Sequence, residues 1–537
     1  MIRQTPVTNT QTTDIVVVGF GAAGASAAIT AREMGADVIA LDRGNGGGAT
    51  AISGGIIYAG AGTSVQKQAG VEDSVEQMLD YLRMEVGDTT DPDTLERFVR
   101  TSPELIDWLQ HHGVPFDSTV CPYKTSFPNN RYYLYFSGSE NAGAFRSQTP
   151  PVQRGHRVKG RGTSGKHLYA PLARSAQSLG VRFRPHTAVT KLLQDSDGRV
   201  TGVEAMTMAH APWPIRRLYA ALTAVSVKPG VYYPPLRELM DRRIAALERR
   251  YARPVRIVAR SGVILCAGGF FANPEWRERY APEFTHGLPL GTSGDDGSGI
   301  ALAESVGAVA DRMDDISVWR FITPPSAFVS SMVVDDKGQR ILDESRYGAA
   351  LGQAMVKHHG GKGWILADAT LMAQAKRQLF TQTLWFQRAQ GAALMFAGAA
   401  HGRTLADVAR AAGIDPQGLA ATVKAHNDAI DSASADPAGK PAELCHRIER
   451  SPFTLMNISV QPNLLYPTPM LTLGGIRVAE DTGAVLTAAG TPIPGLYGAG
   501  RTALGICSRS YVSGLSIADC VFAGRRAGSA AASAGPH

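Results

Sequence analysis

Cysteine is scarce in this chain, and its spacing excludes several classes of protein. The five cysteines stand at positions 121, 266, 445, 507 and 520, without a C-x-x-C pair. Zinc sites and iron–sulfur clusters need closely spaced cysteine ligands, and disulfide-rich secreted domains need more of them. We therefore expect no metal centre, and we expect a reducing, intracellular compartment.

Long hydrophobic runs are also missing. No stretch approaches the roughly 20 apolar residues of a membrane-spanning helix, and the polar opening segment MIRQTPVTNTQTTD has no signal-peptide core. We expect a cytoplasmic protein that at most attaches peripherally to the inner face of a membrane. With 537 residues, the chain is long enough for two or three globular domains.

Acidic residues are few in one segment, 209–256, which interrupts a predicted sheet. It contains nine arginines and one lysine against three acids, so its charge of +7 equals the formal charge of the whole chain. Basic charge with interleaved Trp and Tyr suits an anionic membrane surface. Single-stranded nucleic acid is a rival partner, but nothing else in the chain supports it, and we expect no nucleic-acid binding. A third interpretation is a helix over 236–250 that covers another part of the protein or a second subunit.

Residues 14–43 form the unit around which the chain is organised. An apolar run precedes Gly19, Gly21 and Gly24, which have G-x-G-x-x-G spacing, and an alanine-rich helix and a second strand ending at Asp42 follow. The glycines permit a tight turn, close approach of a pyrophosphate, and close packing of helix on strand. The helix N-terminus attracts phosphate, and an acid at this distance binds a ribose hydroxyl. The pattern predicts a dinucleotide site.

The next segment, 44–55, favours FAD over NAD as the dinucleotide. Its sequence, GNGGGATAISGG, is too rich in glycine for an ordinary surface loop. Such a loop can lie along a second phosphate or a flavin ring.

With this loop, the chain resembles the flavoprotein family of fumarate reductases and 3-ketosteroid dehydrogenases. Further matching motifs are GVILCAGGFF (262–271), Asp296-Gly297, LTLGGIRV (471–478) and SRSYVSGLSIADCVFAGRRAG (508–528). The resemblance implies an α/β fold: a Rossmann-like FAD-binding domain with an inserted α+β cap domain. We place the FAD-binding domain at 1–318 and 467–537 and the cap at 319–466, with the active site between cap and flavin.

The resemblance also implies which residues bind the cofactor. Relatives with covalent FAD carry a histidine in the 44–55 loop, and this chain has none between Arg43 and Gly62, so we expect non-covalent FAD. The expected contacts are Gly19, Gly21, Ala22, Ala23, Gly24, Asp42, Arg43, Gly47, Gly48, Ala49, Thr50, Ser53, Gly54, Gly55, Val189, Ala267, Gly268, Gly269, Asp296, Gly500, Arg501, Gly514, Leu515 and Ser516.

Two positions separate the chain from the fumarate reductases. Leu471 matches the family's H-T-x-G-G histidine, and Tyr511 matches the arginine of N-R-x-G-G. A dicarboxylate needs cationic partners, so these residues favour an apolar substrate with one carbonyl. The run S-x-S-Y-V-S-G-L-S is most similar to 3-ketosteroid dehydrogenases of the Δ4 type, which introduce a double bond between carbons 4 and 5.

The resemblance assigns chemical roles to three residues. Tyr511 polarises the 3-keto oxygen, which makes the proton on carbon 4 easier to remove. Ser513 and Tyr347 share the proton step as general base and acid, in an order that the sequence does not assign. The hydride from carbon 5 goes to flavin N5, and an external acceptor must reoxidise the flavin.

Other functions remain open at this stage. Δ1-dehydrogenation of the same 3-ketosteroids is the first alternative, and a fumarate-reductase-like enoate reductase is disfavoured by Leu471 and Tyr511. A flavin-bearing electron-transfer subunit without a substrate of its own has little support. His156 and His167 lie in or near a glycine-rich loop, and we interpret both as structural.

Overall fold

The computed structural model describes residues 10–461 and 466–535. Its strands are β1 (Thr10–Val18), β2 (Val38–Leu41), β3 (Ile56–Tyr58), β4 (Leu134–Tyr135), β5 (Gly155–Arg157), β6 (Arg182–Arg184), β7 (Thr187–Gln194), β8 (Val200–Thr207), β9 (Arg253–Leu265), β10 (Leu288–Pro289), β11 (Ala310–Asp311), β12 (Ile316–Val318), β13 (Met332–Val334), β14 (Trp364–Ala367), β15 (Ala399–Gly402), β16 (Phe453–Asn457), β17 (Pro469–Thr472), β18 (Gly475–Ile476), β19 (Ala484–Leu486) and β20 (Pro492–Gly498).

The α-helices alternate with these strands over much of the chain. They are α1 (Ala22–Glu33), α2 (Gly48–Ile52), α3 (Ser64–Gln68), α4 (Val75–Val86), α5 (Pro92–Arg100), α6 (Ser102–His111), α7 (Gly143–Arg146), α8 (Gly165–Ser178), α9 (Trp213–Val227), α10 (Pro234–Tyr251), α11 (Pro274–Tyr280), α12 (Ser298–Glu304), α13 (Gly348–His358), α14 (Ala369–Thr381), α15 (Trp385–Phe396), α16 (Leu405–Ala412), α17 (Pro416–Asp431) and α18 (Leu515–Ser533).

The largest sheet confirms the predicted α/β class. Its order is β19-β20-β9-β1-β2-β6, and the strands from β20 to β6 run parallel. Strand β9 is long enough to have two neighbours on one side: its first half pairs antiparallel with β8, and its second half pairs with β20. The buried apolar residues of β1 and β2 agree with a parallel sheet covered on both faces.

Small residues let the first and last helices pack closely beside this sheet. A Cβ atom on Gly524 of α18 would lie 2.4 Å from the carbonyl oxygen of Ala23, and one on Gly528 would lie 2.4 Å from that of Ala27. The two helix backbones therefore touch, and larger side chains at these positions would force them apart. This contact sets the first turns of α1 against the middle of α18, so the two helices run side by side.

The cap prediction also has a structural counterpart. Strands β13, β14, β16 and β15 form a separate antiparallel sheet in that order, and α13 to α17 lie in the same stretch of chain. The chain enters and leaves it through β12 and β17, which pair with each other. This architecture is the inserted α+β unit that the resemblance implied, while the exact domain boundaries stay a prediction.

The basic segment differs from its sequence prediction. It interrupts the sheet between β8 and β9 as expected, but it forms a hairpin of two helices, α9 and α10, instead of the single helix predicted over 236–250. Helix α9 contains only two basic residues, Arg216 and Arg217, and the helix-start signal of Pro214 in its first turn was not used in the prediction. Among the helices that the structure describes, none has the length and hydrophobicity needed to cross a bilayer.

Candidate active site

A cavity of about 720 Å³ lies where the carboxyl ends of the parallel strands meet the cap. Residues of the glycine-rich turn, including Gly19, line part of it, and residues of cap helix α15, including Phe386 and Leu394, line another part. Ligands of open α/β sheets bind at this edge, outside the carboxyl ends of the strands. The position therefore matches the predicted placement between cofactor domain and cap.

The turn between β1 and α1 has the geometry that a pyrophosphate requires. A Cβ atom on Gly24 would lie 1.9 Å from the carbonyl oxygen of Gly19, so only glycine permits this contact between helix and turn. At Gly21 the nearest atom, Thr50 Oγ1, would be 3.4 Å from such a Cβ, an ordinary contact, so the surrounding protein alone does not require glycine at this position. The Ala22 N–H donates to the same Thr50 hydroxyl at 3.1 Å. The first turn of α1 thus presents a cradle that fits phosphate.

Asp42 organises the loop at the end of β2. Its Oδ2 accepts a hydrogen bond from the Phe20 N–H at 2.9 Å, and its Oδ1 accepts one from the Gly44 N–H at 2.8 Å. Burial raises the pKa of this carboxyl group above its ordinary value, although the backbone N–H donors counteract that rise. Asp42 also lines the cavity, where an acid is expected to meet a ribose hydroxyl.

The second acidic position, Asp296, is not where the resemblance led us to expect it. Asp296 forms an ion pair with Arg43 at 2.6 Å and is absent from the described residues that line the cavity. Its neighbour Asp295 lines the cavity and accepts hydrogen bonds from the Gly269 N–H at 3.1 Å and Arg501 Nη2 at 2.6 Å. The doubled aspartate in GDDG was the only sequence signal, and it did not show which of the two faces inward.

Most of the predicted cofactor residues come together around the cavity. Those lining it are Gly19, Gly21, Ala22, Ala23, Asp42, Arg43, Gly48, Ala49, Thr50, Ser53, Gly54, Gly55, Val189, Ala267, Gly268, Gly500, Arg501, Gly514 and Ser516. Gly24, Gly47, Gly269, Asp296 and Leu515 are not among the described lining residues. Arg501 Nη1 is buried and has no hydrogen-bond partner among the described residues, as expected beside an acceptor-bearing ligand.

The three predicted catalytic residues line the same cavity, within an aromatic cluster. The Tyr511 ring stacks on Trp319, with centroids 5.4 Å apart and planes 19° from parallel. The Tyr347 ring lies 6.2 Å from that of Tyr511 and 5.3 Å from that of Phe321. The two phenols are therefore held side by side on an apolar wall that suits an apolar substrate with one polar group.

Ser513 is fixed by partners on β4 and the loop after it. Its Oγ lies 3.3 Å from the hydroxyl of Tyr135, and its carbonyl oxygen accepts a hydrogen bond from Ser137 Oγ at 3.1 Å. Gly514 then adopts φ of +93°, and a Cβ there would lie 2.6 Å from the Tyr58 nitrogen, so the turn into α18 requires glycine. The Ser513 hydroxyl and the N-terminus of α18 consequently reach the cavity together.

Tyr347 is held by the charged segment before it. Glu344 pairs with Arg340 at 2.6 Å and with Lys440 at 2.7 Å, and all three side chains are almost completely buried. The Tyr347 N–H donates to Ser139 Oγ at 3.2 Å. Glu344, three residues before Tyr347, therefore anchors this segment from inside the cap. Arg346, the cation directly before Tyr347, lies against Phe145 and is absent from the described lining of the cavity.

Electrostatics keep both phenols protonated. Burial is the main reason that the pKa of Tyr347 lies well above its ordinary value; nearby Tyr511 and Tyr135 add to the rise, and the Ser513 hydroxyl opposes it. Burial likewise raises the pKa of Tyr511, with a contribution from Cys507, while the Gly514 N–H and Arg501 oppose it. Neutral phenols can donate hydrogen bonds to a carbonyl oxygen at neutral pH.

Arg320 is a cavity-lining cation that the sequence analysis missed. It is buried and stacks on Tyr466 at 4.6 Å. Its Nη2 donates to the Ser459 carbonyl oxygen at 3.1 Å and to the Thr468 hydroxyl, and its Nη1 donates to the Tyr466 carbonyl oxygen at 3.3 Å. These bonds use much of the guanidinium, so it is poorly placed to clamp a dicarboxylate. Leu471 also lines the cavity.

The two histidines that we interpreted as structural are both missing from the described lining of the cavity. His156 is buried and lies 2.8 Å from the Thr63 hydroxyl, and burial lowers its pKa to about 4. Tyr135, in contrast, belongs to the aromatic stretch 121–136, which could not be told from core packing by sequence. Only its contact with Ser513 identifies it as part of the site.

Comparisons with known proteins agree with this geometry. The model of the FAD binding domain family matches residues 14–514. The chain is 37% identical over 498 residues to the 3-oxo-5-alpha-steroid 4-dehydrogenase of Comamonas testosteroni, covering 91% of this chain and 92% of that protein. It is 26% identical over 557 residues to a 3-oxosteroid 1-dehydrogenase of Mycobacterium tuberculosis, covering 93% and 94%. The crystal structure of 3-ketosteroid-delta4-(5alpha)-dehydrogenase from Rhodococcus jostii RHA1, in complex with 4-androstene-3,17-dione, superposes with a TM-score of 0.80 at 29% identity, covering 99% and 98%.

Proposed function

The chain belongs to the FAD binding domain family, and from that premise we propose that it is an FAD-dependent 3-ketosteroid Δ4-dehydrogenase. The observation that carries the proposal is the meeting of Tyr511, Ser513 and Tyr347 on one aromatic wall of the cavity. The names of the Comamonas and Rhodococcus relatives support the same reaction. The substrate is a saturated 3-ketosteroid, and the product carries a double bond between carbons 4 and 5.

Polarisation of the substrate carbonyl is the first task of these residues. The protonated Tyr511 hydroxyl donates a hydrogen bond to the 3-keto oxygen, and the Trp319 ring holds the phenol in place. Negative charge grows on that oxygen as carbon 4 loses its proton. A donor that is already oriented in an apolar site stabilises this charge more in the transition state than in the ground state.

Removal of the proton from carbon 4 is assigned to Ser513 and the tyrosine hydroxyl groups next to it. As Ser513 Oγ takes the carbon 4 proton, its own hydroxyl proton moves to the hydroxyl of Tyr135 or Tyr347, and that phenol releases its proton to solvent water, so every hydroxyl ends neutral. The hydride leaves carbon 5 with its electron pair, so the carbon 4–carbon 5 double bond forms without net charge on the steroid. FAD, when bound, supplies the hydride acceptor. An external electron acceptor, as predicted from the sequence, completes the cycle.

Anaerobic mixing of the yellow holoenzyme with a saturated 3-ketosteroid tests this proposal. Loss of the oxidised flavin absorbance and a product with a 4,5 double bond are the expected results. A 1,2 double bond would favour the alternative Δ1-dehydrogenase, which has relatives at lower identity. Oxidised flavin that persists with every 3-ketosteroid offered would contradict both versions.

A fumarate-reductase-like enoate reductase, which would reduce the carbon–carbon double bond of a carboxylate substrate, has less support. Leu471 and Tyr511 occupy positions where the fumarate reductases carry a cation, and the nearby Arg320 is already engaged by carbonyl oxygens and a hydroxyl. The wall that carries Leu471 and Tyr511 therefore offers no cationic side chain at these two positions, and the cavity-lining Arg43 and Arg501 pair with Asp296 and Asp295.

Peripheral contact with an anionic membrane is the second part of the proposal. The outer side of the α9–α10 hairpin exposes Trp213 (63%), Leu218 (47%) and Leu239 (46%), together with arginines such as Arg242 and Arg243. Apolar side chains with surrounding cations suit the interface of an anionic bilayer. An apolar sterol partitions into the same bilayer, so this contact would bring enzyme and substrate together on the cytoplasmic side.

A further inference from the structure

The α9–α10 hairpin is firmly attached to the nucleotide-binding domain. Asn45 Nδ2 donates to the Ala220 carbonyl oxygen at 3.2 Å, next to Asp42 and the loop that it organises. The Tyr219 hydroxyl lies 3.5 Å from the Arg43 carbonyl oxygen, and the Tyr219 ring packs 4.9 Å from His186. Helix α9 therefore contacts the segment that follows β2 and the residue that precedes β7.

The second helix is attached to the opposite side. Arg237 is buried, and its Nη2 donates to the Gly291 carbonyl oxygen at 3.3 Å, in the loop that contains Asp295. The two helices are tied together by a hydrogen bond from the Tyr219 hydroxyl to Glu248 Oε1 at 2.6 Å. The hairpin thus bridges two loops of the nucleotide-binding domain across the cavity.

The inner face of the hairpin is part of the cavity wall. Tyr219, Thr223, Val227, Tyr232, Ile244 and Glu248 all line it. Asp42, the acid predicted to bind a ribose hydroxyl, and Val189 line the same cavity. This end of the cavity combines apolar side chains with the carboxylates of Asp42 and Glu248 and with hydroxyl groups, which is the chemistry that an adenine ring and its ribose need.

We propose that the α9–α10 hairpin closes the adenosine end of the FAD site and holds the cofactor by its adenosine moiety. The Arg43–Asp296 ion pair, at 2.6 Å, closes the same end from the side of the β2 loop. FAD then leaves only when the hairpin separates from residues 42–45. The inference concerns cofactor retention, so it holds whichever steroid the enzyme oxidises, and it is independent of contact between the hairpin's outer face and a membrane.

The first test uses a substitution on helix α9 to fill the space that the adenosine moiety is proposed to occupy. Thr223 faces the backbone of Gly44, since a Cβ atom built on Gly44 would lie 3.5 Å from the Thr223 methyl group. Thr223→Trp therefore places a large side chain on the inner face of the hairpin. Ala221→Trp makes a similar addition to the same helix at an exposed position outside the described cavity lining. The rate of FAD release from each holoenzyme is measured as the rise in free-flavin fluorescence after dilution.

We expect Thr223→Trp to release FAD about tenfold faster or more, which corresponds to a tenfold loss of affinity. Ala221→Trp should release FAD at the rate of the parent. Equal rates in parent and Thr223→Trp would overturn the proposal, and so would equal acceleration by both substitutions.

A second variant keeps the test valid if Thr223→Trp does not fold. Tyr219→Phe preserves the volume of the side chain but removes the hydrogen bond to Glu248 that joins the two helices. We expect FAD release to accelerate about tenfold or more, the effect of one hydrogen bond to a carboxylate. A release rate equal to that of the parent would count against a role of the hairpin in holding FAD.

Discussion

The hydroxyl groups of Tyr135 and Ser513 lie 3.3 Å apart, although the two residues are separated by 378 positions in the chain. Tyr135 is completely buried on β4, and Ser513 opens the turn into α18. A serine hydroxyl is a weak base by itself, so it needs a partner that can take up or share its proton. Tyr135 is therefore a positioning and proton-sharing partner for Ser513 in the proposed reaction.

Tyr135→Phe tests this relationship. The ring and its packing stay, but Ser513 loses one partner, so we expect the rate of flavin reduction by a 3-ketosteroid to fall about fivefold, the effect of one neutral hydrogen bond. Anaerobic stopped-flow measurement of flavin absorbance gives that rate. Tyr133→Phe, on the same strand region but bonded to the Asn130 carbonyl oxygen, is the matched control. An unchanged rate in Tyr135→Phe would restrict Tyr135 to packing.

Tyr511→Phe should have a larger effect, because it removes the proposed donor to the developing oxyanion. We expect turnover to fall about 10²-fold or more, as for the loss of one oxyanion-hole donor, while FAD stays bound. The flavin-to-protein absorbance ratio checks cofactor content. Near-normal turnover would remove Tyr511 from the mechanism.

Ser513→Ala should slow flavin reduction in the same assay. The backbone bonds of Ser513 with Ser137 do not use the side chain, so the turn into α18 should survive the substitution. Loss of FAD from the variant, with no separate effect on the chemical step, would instead identify Ser513 as a cofactor contact.

The cofactor should be released intact when the protein is denatured. The glycine-rich loop and helix α2 contain alanine and threonine, and no histidine lies between Arg43 and Gly62 to form a bond to the flavin. Acid precipitation followed by chromatography of the supernatant is the measurement. Yellow colour that remains with the precipitated chain would contradict this expectation.

Asp519 makes a specific prediction about stability and pH. It is buried on α18 beside Cys507, and burial raises its pKa from 3.8 to about 6. The folded state therefore holds this proton more tightly than the unfolded state does. The contribution is present at low pH and is lost as the pH rises from about 4 to 6, by about 3 kcal/mol in total.

Asp519→Asn should remove that pH-dependent contribution. We expect the difference in melting temperature between variant and parent to shift in favour of the variant as the pH is raised from 4 to 7, measured by scanning calorimetry of the holoenzymes. Parent and variant carry the same other buried acids, so the contributions of those acids cancel in the difference between the two melting temperatures. A difference that does not change with pH would show that Asp519 titrates normally.

The sequence predicted local patterns better than long-range contacts. The Gly19–Gly24 turn and the Tyr511–Gly514 turn were predictable because each depends on neighbours close in the chain. Asp295 was missed in favour of Asp296, because only the fold decides which of two adjacent acids faces Gly269. The α9–α10 hairpin was predicted from charge as a surface element, and its inner contacts depend on a bridge between the 42–45 and Gly291 loops that no local pattern encodes.

Reversible binding to anionic vesicles is the prediction for the outer face of the hairpin. Each cation near such a surface contributes about 1 kcal/mol, and salt screens that attraction. Arg242→Glu with Arg243→Glu should therefore weaken binding about 30-fold or more, the consequence of losing about 2 kcal/mol before repulsion is added. Co-sedimentation with anionic and neutral vesicles at low and high salt is the measurement.

A matched charge reversal separates this surface from a general effect of net charge. Arg410→Glu with Lys424→Glu makes the same change in total charge at exposed positions on the cap helices α16 and α17. If the hairpin is the contact, this control keeps its salt-sensitive binding to anionic vesicles. Equal loss in both double variants, or a parent protein that pellets with neither type of vesicle, would refute the membrane contact and leave the hairpin with its inner face alone as a functional surface.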